Sequence, residues 1–237
     1  MLSGLPAAPI RGTMGPTARF GAAPIASFCQ PRSPEQETDM HTKDPDAVGG
    51  HEPSLSLVMP CYNEEEVVEA SILSLVEAFD SAGIPLELIA VDNGSSDGTG
   101  AILARMRKEI AAVRVVQVEE NIGYGNGVLQ GLPRCQAPWV GVIQADGQVD
   151  AADVLRLYET ALAASVPVLA KARRRFRMDG FTRRVVSIAY NGFVWLLFPR
   201  LGSVDVNGLP KILPRPAVEA MRLRSRRWFL DPEIMIK

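Results

Sequence analysis

The sequence has few of the residues that staple chains, ligate metals or span membranes. Its three cysteines, Cys29, Cys61 and Cys135, are far apart among 237 residues, with no C-x-x-C pair and only two histidines. That excludes a disulfide framework and a zinc ligand set, and it fits a reducing cytoplasm. The most apolar late stretch, residues 190–198, is well short of the roughly 20 residues that a membrane-spanning helix needs. Charge of one sign is also missing, because 25 basic residues face 27 acidic ones for a net −2, so no nucleic-acid partner is expected. There is no Gly-Lys-Ser/Thr phosphate loop. The glycine-rich Gly123-Tyr124-Gly125-Asn126-Gly127 begins no G-x-G-x-x-G, which disfavours a dehydrogenase-type dinucleotide site. Those glycines are left as a means of tight connection and close helix approach.

Residues 1–53 are rich in Pro, Gly, Ala and Ser, lack helical or strand periodicity, and have no continuous apolar signal-peptide core. A disordered tail is expected there. Arg11, Arg19 and Arg32 leave a transit peptide open, and a misassigned start would give the same composition. The character changes at Ser54. Residues 55–59 are expected as a strand stopped by Pro60, followed by a helix with Asn63 as N-cap and Glu66 three residues on; Val68, Ile72, Leu75, Val76 and Phe79 repeat at helical spacing. The unit then recurs, with strands expected at 86–91, 113–118, 139–143 and 166–170 and helices at 99–110 and 152–164. Strands alternating with helices predict an α/β domain over residues 54–237 with a mainly parallel central sheet flanked by helices. Ligands in such sheets bind beyond the carboxyl ends of the strands.

The unusual polar residues lie in those end loops. Asp92, followed by Asn93-Gly94-Ser95-Ser96-Asp97-Gly98, can accept a hydrogen bond from a base N–H. Taken alone, it is as well explained by an Asx turn with a helix cap at Ser96 or Asp97. Asp146 and Gln148 follow another buried strand and offer a carboxylate and an amide oxygen to one hard cation such as Mg²⁺ or Mn²⁺. Taken alone, that triplet also reads as a turn.

The order and spacing of Pro60-Cys61-Tyr62-Asn63-Glu64, then Val91-Asp92-Asn93-Gly94-Ser95-Ser96-Asp97-Gly98-Thr99, then Gln144-Ala145-Asp146-Gly147-Gln148 changes that balance. Together they resemble the family-2 glycosyltransferases of GT-A fold, and among these the dolichol-phosphate mannosyltransferases and related polyprenyl-phosphate glycosyltransferases. The resemblance spans residues 54–237 and implies a nucleotide-diphospho-sugar donor. It places Pro60, Tyr62 and Glu64 around the nucleotide, Asp92 on the base, and Asp146 with Gln148 on the metal and diphosphate, with 54–170 as the donor-binding half. The pattern departs from the family where Asn93 and Gln144 stand in for acids.

Downstream, Lys171, Arg173, Arg174, Arg175, Arg177, Arg183 and Arg184 crowd together against one acid, Asp179, either as a phosphate-sized charge cluster or as a solvated basic face. The resemblance matches Arg173 and Arg183 to arginines that hold donor or acceptor phosphates, with Arg174 or Arg184 as alternative matches. Residues 188–198 bear Tyr190, Phe193, Trp195 and Phe198 and read as an interfacial helix or as a plain core helix. The loop at 205–211 resembles a family loop closing over donor and acceptor, which implies a phosphate contact for Lys211. Residues 171–237 are thus expected to face acceptor and membrane. The chain stops at Lys237 inside an expected helix, leaving room for further C-terminal residues or membrane anchors.

Together these features point to sugar transfer onto polyprenyl phosphate, peripheral to the inner face of a membrane, with the inversion at the anomeric carbon that the resemblance implies. Asp146, Arg173 and Arg183 are expected to act at the reacting phosphates. Two alternatives stay open: transfer to a hydroxyl with Asp231 or Glu233 as general base, and a non-catalytic nucleotide-sugar binder.

Overall fold

The computed structural model describes residues 21–24, 52–172 and 206–237. Its elements in chain order are β1 (Gly21–Pro24), β2 (Leu55–Cys61), α1 (Val68–Ser81), β3 (Leu86–Asn93), α2 (Thr99–Glu109), β4 (Val113–Val118), α3 (Tyr124–Gly131), β5 (Trp139–Val142), α4 (Ala151–Leu162), β6 (Val168–Lys171), β7 (Lys211–Pro214), α5 (Arg215–Met221) and α6 (Leu230–Ile236).

One seven-stranded sheet runs β1-β6-β7-β5-β2-β3-β4. The pairings from β5 through β2 and β3 to β4 are parallel, and those from β1 to β6, β6 to β7 and β7 to β5 are antiparallel. Strands β2 to β6 therefore share one direction, and only β1 and β7 oppose them. Strand β3, between β2 and β4, is buried along its whole length, as a parallel strand covered on both faces must be. One core layer packs Val68, Ile72, Leu75 and Phe79 of α1 with Leu103, Met106, Val154 and Leu157 against Leu57 and Leu88. The opposite layer joins Val58, Ile89 and Val91 to Val128, Val140, Met221 and Leu230.

The elements begin and end for local reasons. Two residues past the last residue of α1, Gly83 at φ 67° lets Ile84 N–H reach Phe79 O at 3.0 Å, a left-handed termination that glycine adopts without steric cost. Asp150 caps α4 by accepting Ala152 N–H at 2.9 Å, satisfying one of the orphan donors of a helix start.

Several expectations are corrected here. Asn63 is no N-cap: it sits at φ 56°, α1 starts only at Val68, and its side chain is used across the sheet end instead. Residues 124–131, expected as a connection, form α3. Lys211, expected at the end of a loop, opens strand β7. Within the stretch expected as a disordered tail, Gly21–Pro24 is an edge strand on β6, the sheet position where proline's missing N–H is tolerated. Arg173, Arg183 and the segment 188–198 lie outside the described residues, as does the rest of the 1–51 stretch.

Candidate active site

Because β2, β3, β4 and β5 run the same way, the loops after them gather at one end of the sheet. The loops after β2 and β3 are joined by side chain to backbone bonds in both directions. Asn63 N–H donates to Ser95 Oγ at 3.2 Å, and Asn63 Oδ1 accepts Ser96 N–H at 2.9 Å. Glu64 N–H donates to the buried Thr99 Oγ1 at 2.8 Å. Glu65 N–H donates to Asp97 Oδ2 at 3.2 Å, while Glu65 Oε2 accepts Gly98 N–H at 2.6 Å. Each loop thus satisfies the other's orphan groups, which fixes the segment that presents Tyr62 and Glu64.

Asp92 is 5% exposed and its Oδ1 accepts Ser95 N–H at 3.0 Å, a bond three residues on and so one beyond an Asx turn, which still braces the loop from within. Its Oδ2 lies where a side chain at position 100 would come within 2.6 Å, which only glycine avoids. Asn93 also has a structural use. Its Nδ2 donates to Asn121 Oδ1 and to Gly123 O, each at 3.2 Å, whereas a carboxylate has no proton to give. The amide in place of the family's acid thereby ties the loop after β4 to β3.

The loop after β5 returns to the start of α1. Ser71 Oγ donates to Ala145 O at 3.3 Å, and Gly147, at φ 65°, lies over Val67 and Ser71. Asp146 is thereby brought to the start of α1, on the side of Glu64. The Glu64 carboxyl is raised above its ordinary value by burial first, then by the charges of Asp146 and Asp97. Asp146 Oδ1 accepts Gln148 N–H at 3.1 Å, which ties the exposed Gln148 to the same turn. Among the described residues, no three His, Cys, Asp or Glu side chains close on one point. A hard cation that shares a diphosphate takes only one or two protein carboxylates and completes its shell with phosphate and water oxygens. Asp146, repelled by Glu64 and flanked by Gln148, fits that partial role.

Beside these loops opens a cavity of about 460 Å³ lined by Tyr62, Glu120, Asn121, Ile122, Gly123, Arg227 and Trp228. Tyr62, 47% exposed, links it to Glu64, whereas Asp92 and Asp146 do not line it. Tyr124 stacks on Trp228 with centroids 6.0 Å apart and planes at 15°. The lining at 120–123 was not anticipated, although the loop after a strand parallel to β3 must reach this end of the sheet. Arg227 and Trp228 come from far along the chain, and only a basic-aromatic local composition marks them.

The late acids are committed elsewhere. Glu233 accepts the N–H groups of Arg224 at 3.1 Å and Ser225 at 2.8 Å and the Lys237 ammonium at 2.7 Å. Burial acts to raise its carboxyl, but these donors outweigh it and hold the group down at about 2. Lys211, 0% exposed, lies with Nζ 2.5 Å from Asp231 Oδ1. It stands opposite Val142, at the site end of β5.

Residues 56–229 match the family model of Glycosyl transferase family 2. The chain belongs to this family. An uncharacterized glycosyltransferase of Mycobacterium tuberculosis (strain ATCC 25618 / H37Rv) is 33% identical over 181 residues, covering 75% of this chain and 70% of that protein. An undecaprenyl-phosphate 4-deoxy-4-formamido-L-arabinose transferase of Edwardsiella ictaluri is 32% identical over 142 residues, 59% of this chain and 43% of the relative. Among solved structures, the glucosyl-3-phosphoglycerate synthase of Mycobacterium tuberculosis in complex with Mn²⁺, uridine diphosphate and glucosyl-3-phosphoglycerate aligns with a TM-score of 0.55 at 24% identity, covering 70% of this chain and 58% of that one. The family-2 chain thus has the GT-A fold, and it spans less than two thirds of the last two proteins.

Proposed function

We propose that this glycosyltransferase moves a sugar from a nucleoside-diphosphate donor to a polyprenyl phosphate, with inversion at the anomeric carbon. The observation that carries the donor half is the convergence of the loops after β2, β3 and β5, which brings Glu64 and Asp146 into each other's field. Tyr62 offers a face to the nucleoside, Pro60 lies against Gly127, and Asp92 accepts from the base while holding Ser95. Asp146 and Gln148 would hold Mn²⁺ or Mg²⁺, in keeping with the Mn²⁺ present in the glucosyl-3-phosphoglycerate synthase. When bound, that cation neutralises charge growing on the departing diphosphate.

The acceptor half rests on three supports. A phosphate is ionised at neutral pH and needs no general base; the two acids available as bases are spent, Glu233 on backbone amides and Asp231 on Lys211; and the Edwardsiella ictaluri relative is named for an undecaprenyl-phosphate substrate. Arg173 and Arg183 are assigned to the acceptor phosphate. Lys211 contributes its charge from beneath, through Asp231, and not by direct contact.

Calorimetry with UDP- and GDP-sugars, with and without Mn²⁺, tests the donor site, with Mn²⁺-dependent binding expected. A radiolabelled donor is then offered to a short polyprenyl phosphate and to hydroxyl acceptors. Transfer to the lipid phosphate that survives Asp231→Asn but is lost in Arg173→Ala or Arg183→Ala is the expected pattern. Loss only with Asp231→Asn would sink the lipid-phosphate reading, and tight donor binding with no transfer or hydrolysis would make the protein a binder.

A further inference from the structure

Residues 222–229 connect α5 to α6 and carry Arg222, Arg224, Arg226, Arg227, Trp228 and Phe229 with no acid among them. All six are exposed, Trp228 at 76% and Phe229 at 55%. None of the four arginines is ion-paired among the described residues. A connection of this kind is ordinarily soft, but this one is fixed. The N–H groups of Arg224 and Ser225 are held by Glu233, and Arg226 O accepts Asn126 N–H at 2.7 Å. The chain also lies so close to α3 that a Cβ at position 125 would come within 2.3 Å of Ser225 O. The buried carboxylate and the glycine together hold two large aromatics out in water among arginines.

We propose that residues 222–229 are a docking surface for an anionic lipid bilayer. Trp and Phe supply an apolar anchor at the headgroup level, and guanidinium groups pair with lipid phosphates. Arginines alone would suit a nucleic-acid backbone equally well, but a fixed Trp-Phe tip favours a partner with an apolar interior. Arg227 and Trp228 also line the cavity beside Tyr62. The bilayer would therefore lie at the mouth of this cavity, on the Tyr62 side of the candidate site, where a lipid-borne acceptor could arrive. Glu120 is the one acid of that lining. The purpose of this surface rests on the lipid-phosphate reading, while its arginines and aromatics stand exposed whatever the acceptor.

The test is co-sedimentation of the whole chain with phosphatidylcholine vesicles and with vesicles containing one third phosphatidylglycerol, at low and physiological salt. The expected result is binding to the anionic vesicles that weakens with salt. Arg224→Glu/Arg226→Glu should weaken it by tenfold or more, on the order expected for removing two basic residues from a charged surface. Phe229→Ser should weaken it severalfold at every salt concentration. These side chains lie outside the cavity lining, so Mn²⁺-dependent donor binding and the melting temperature should stay at wild-type values; if the charge reversal misfolds, Arg224→Gln/Arg226→Gln replaces it. Absence of wild-type binding, binding that the variants leave intact, or preference for an oligonucleotide over vesicles would each overturn the proposal. Donor binding without vesicle binding sinks the docking surface alone, and vesicle binding without sugar transfer sinks the functional reading alone.

Discussion

Asn93 shows how one atom exchanged for another sets a loop in place. Its amide donates to Asn121 Oδ1 and Gly123 O, and Asn93→Asp would set a carboxylate against two acceptors in a buried position. The variant is expected to lose about 1–3 kcal/mol of stability and to bind donor more weakly, as read by urea unfolding and calorimetry; unchanged values for both would show that the amide contributes nothing. Glu233 gives a pH-dependent counterpart. Its folded carboxyl sits at about 2 against an ordinary 4.5, so the stabilisation is complete above about 4.5 and is lost as pH falls toward 2. Glu233→Gln should therefore be less stable than wild type at pH 6, and the gap should close as the pH is lowered to 2. A gap that stays constant across that range would remove the carboxylate from the account. Each donor loop by itself reads as a turn, and only their joint order and spacing, through the resemblance to the family, marks them as a candidate site. What spacing could not supply is which acids are spent structurally, because the partners of Glu233 and Asp231 are set by the packing of α5, α6 and β7.

Among the elements, α3 is the least expected. Eight residues with three glycines have poor intrinsic helix propensity, and the helix forms because those glycines let backbones approach. A Cβ at 131 would strike Val58 and Val91, one at 127 would strike Pro60, and one at 125 would strike Ser225 O. Gly125→Ala is therefore expected to push residues 225–228 off α3 and weaken nucleotide binding several-fold with little change in the sheet; a wild-type dissociation constant would show that the contact is dispensable. Periodicity located α1, α2, α4 and strands β2 to β6 within about two residues at most ends, since each carries a strong apolar pattern. It missed β7, which has four residues, opens on Lys211 and ends on Pro214, and whose partners β5 and β6 lie far away in the chain.

Over the whole molecule, the two ends of the sheet are built differently. The end beyond Cys61 and Asn93 gathers acids, exposed aromatics and glycines. The opposite end is closed by a buried network in which Glu87 accepts from Ser56 Oγ, takes Gln136 N–H at 2.9 Å and faces Arg114 Nε at 3.1 Å. Glu87→Ala should cost about 3 kcal/mol of stability by stranding its partners while leaving the KM for donor unchanged; a raised KM with intact stability would contradict that division of labour. The α/β order and the strand-end location of the site followed from the alternation of elements. The antiparallel half of the sheet did not, because β1 and β7 reach it from chain positions that carry no pattern.

In the proposed function the donor site depends on Asp146, whose charge reaches Glu64, acting through a cation. That dependence is tested most directly by transfer of radiolabelled sugar from nucleotide donor to a short polyprenyl phosphate over a Mn²⁺ titration, comparing wild type with Asp146→Asn at matched melting temperature. The account predicts Mn²⁺-dependent transfer that falls roughly a hundredfold or more in the variant. Transfer at the wild-type rate by Asp146→Asn, or wild-type transfer indifferent to Mn²⁺ and to its removal by chelator, would contradict it.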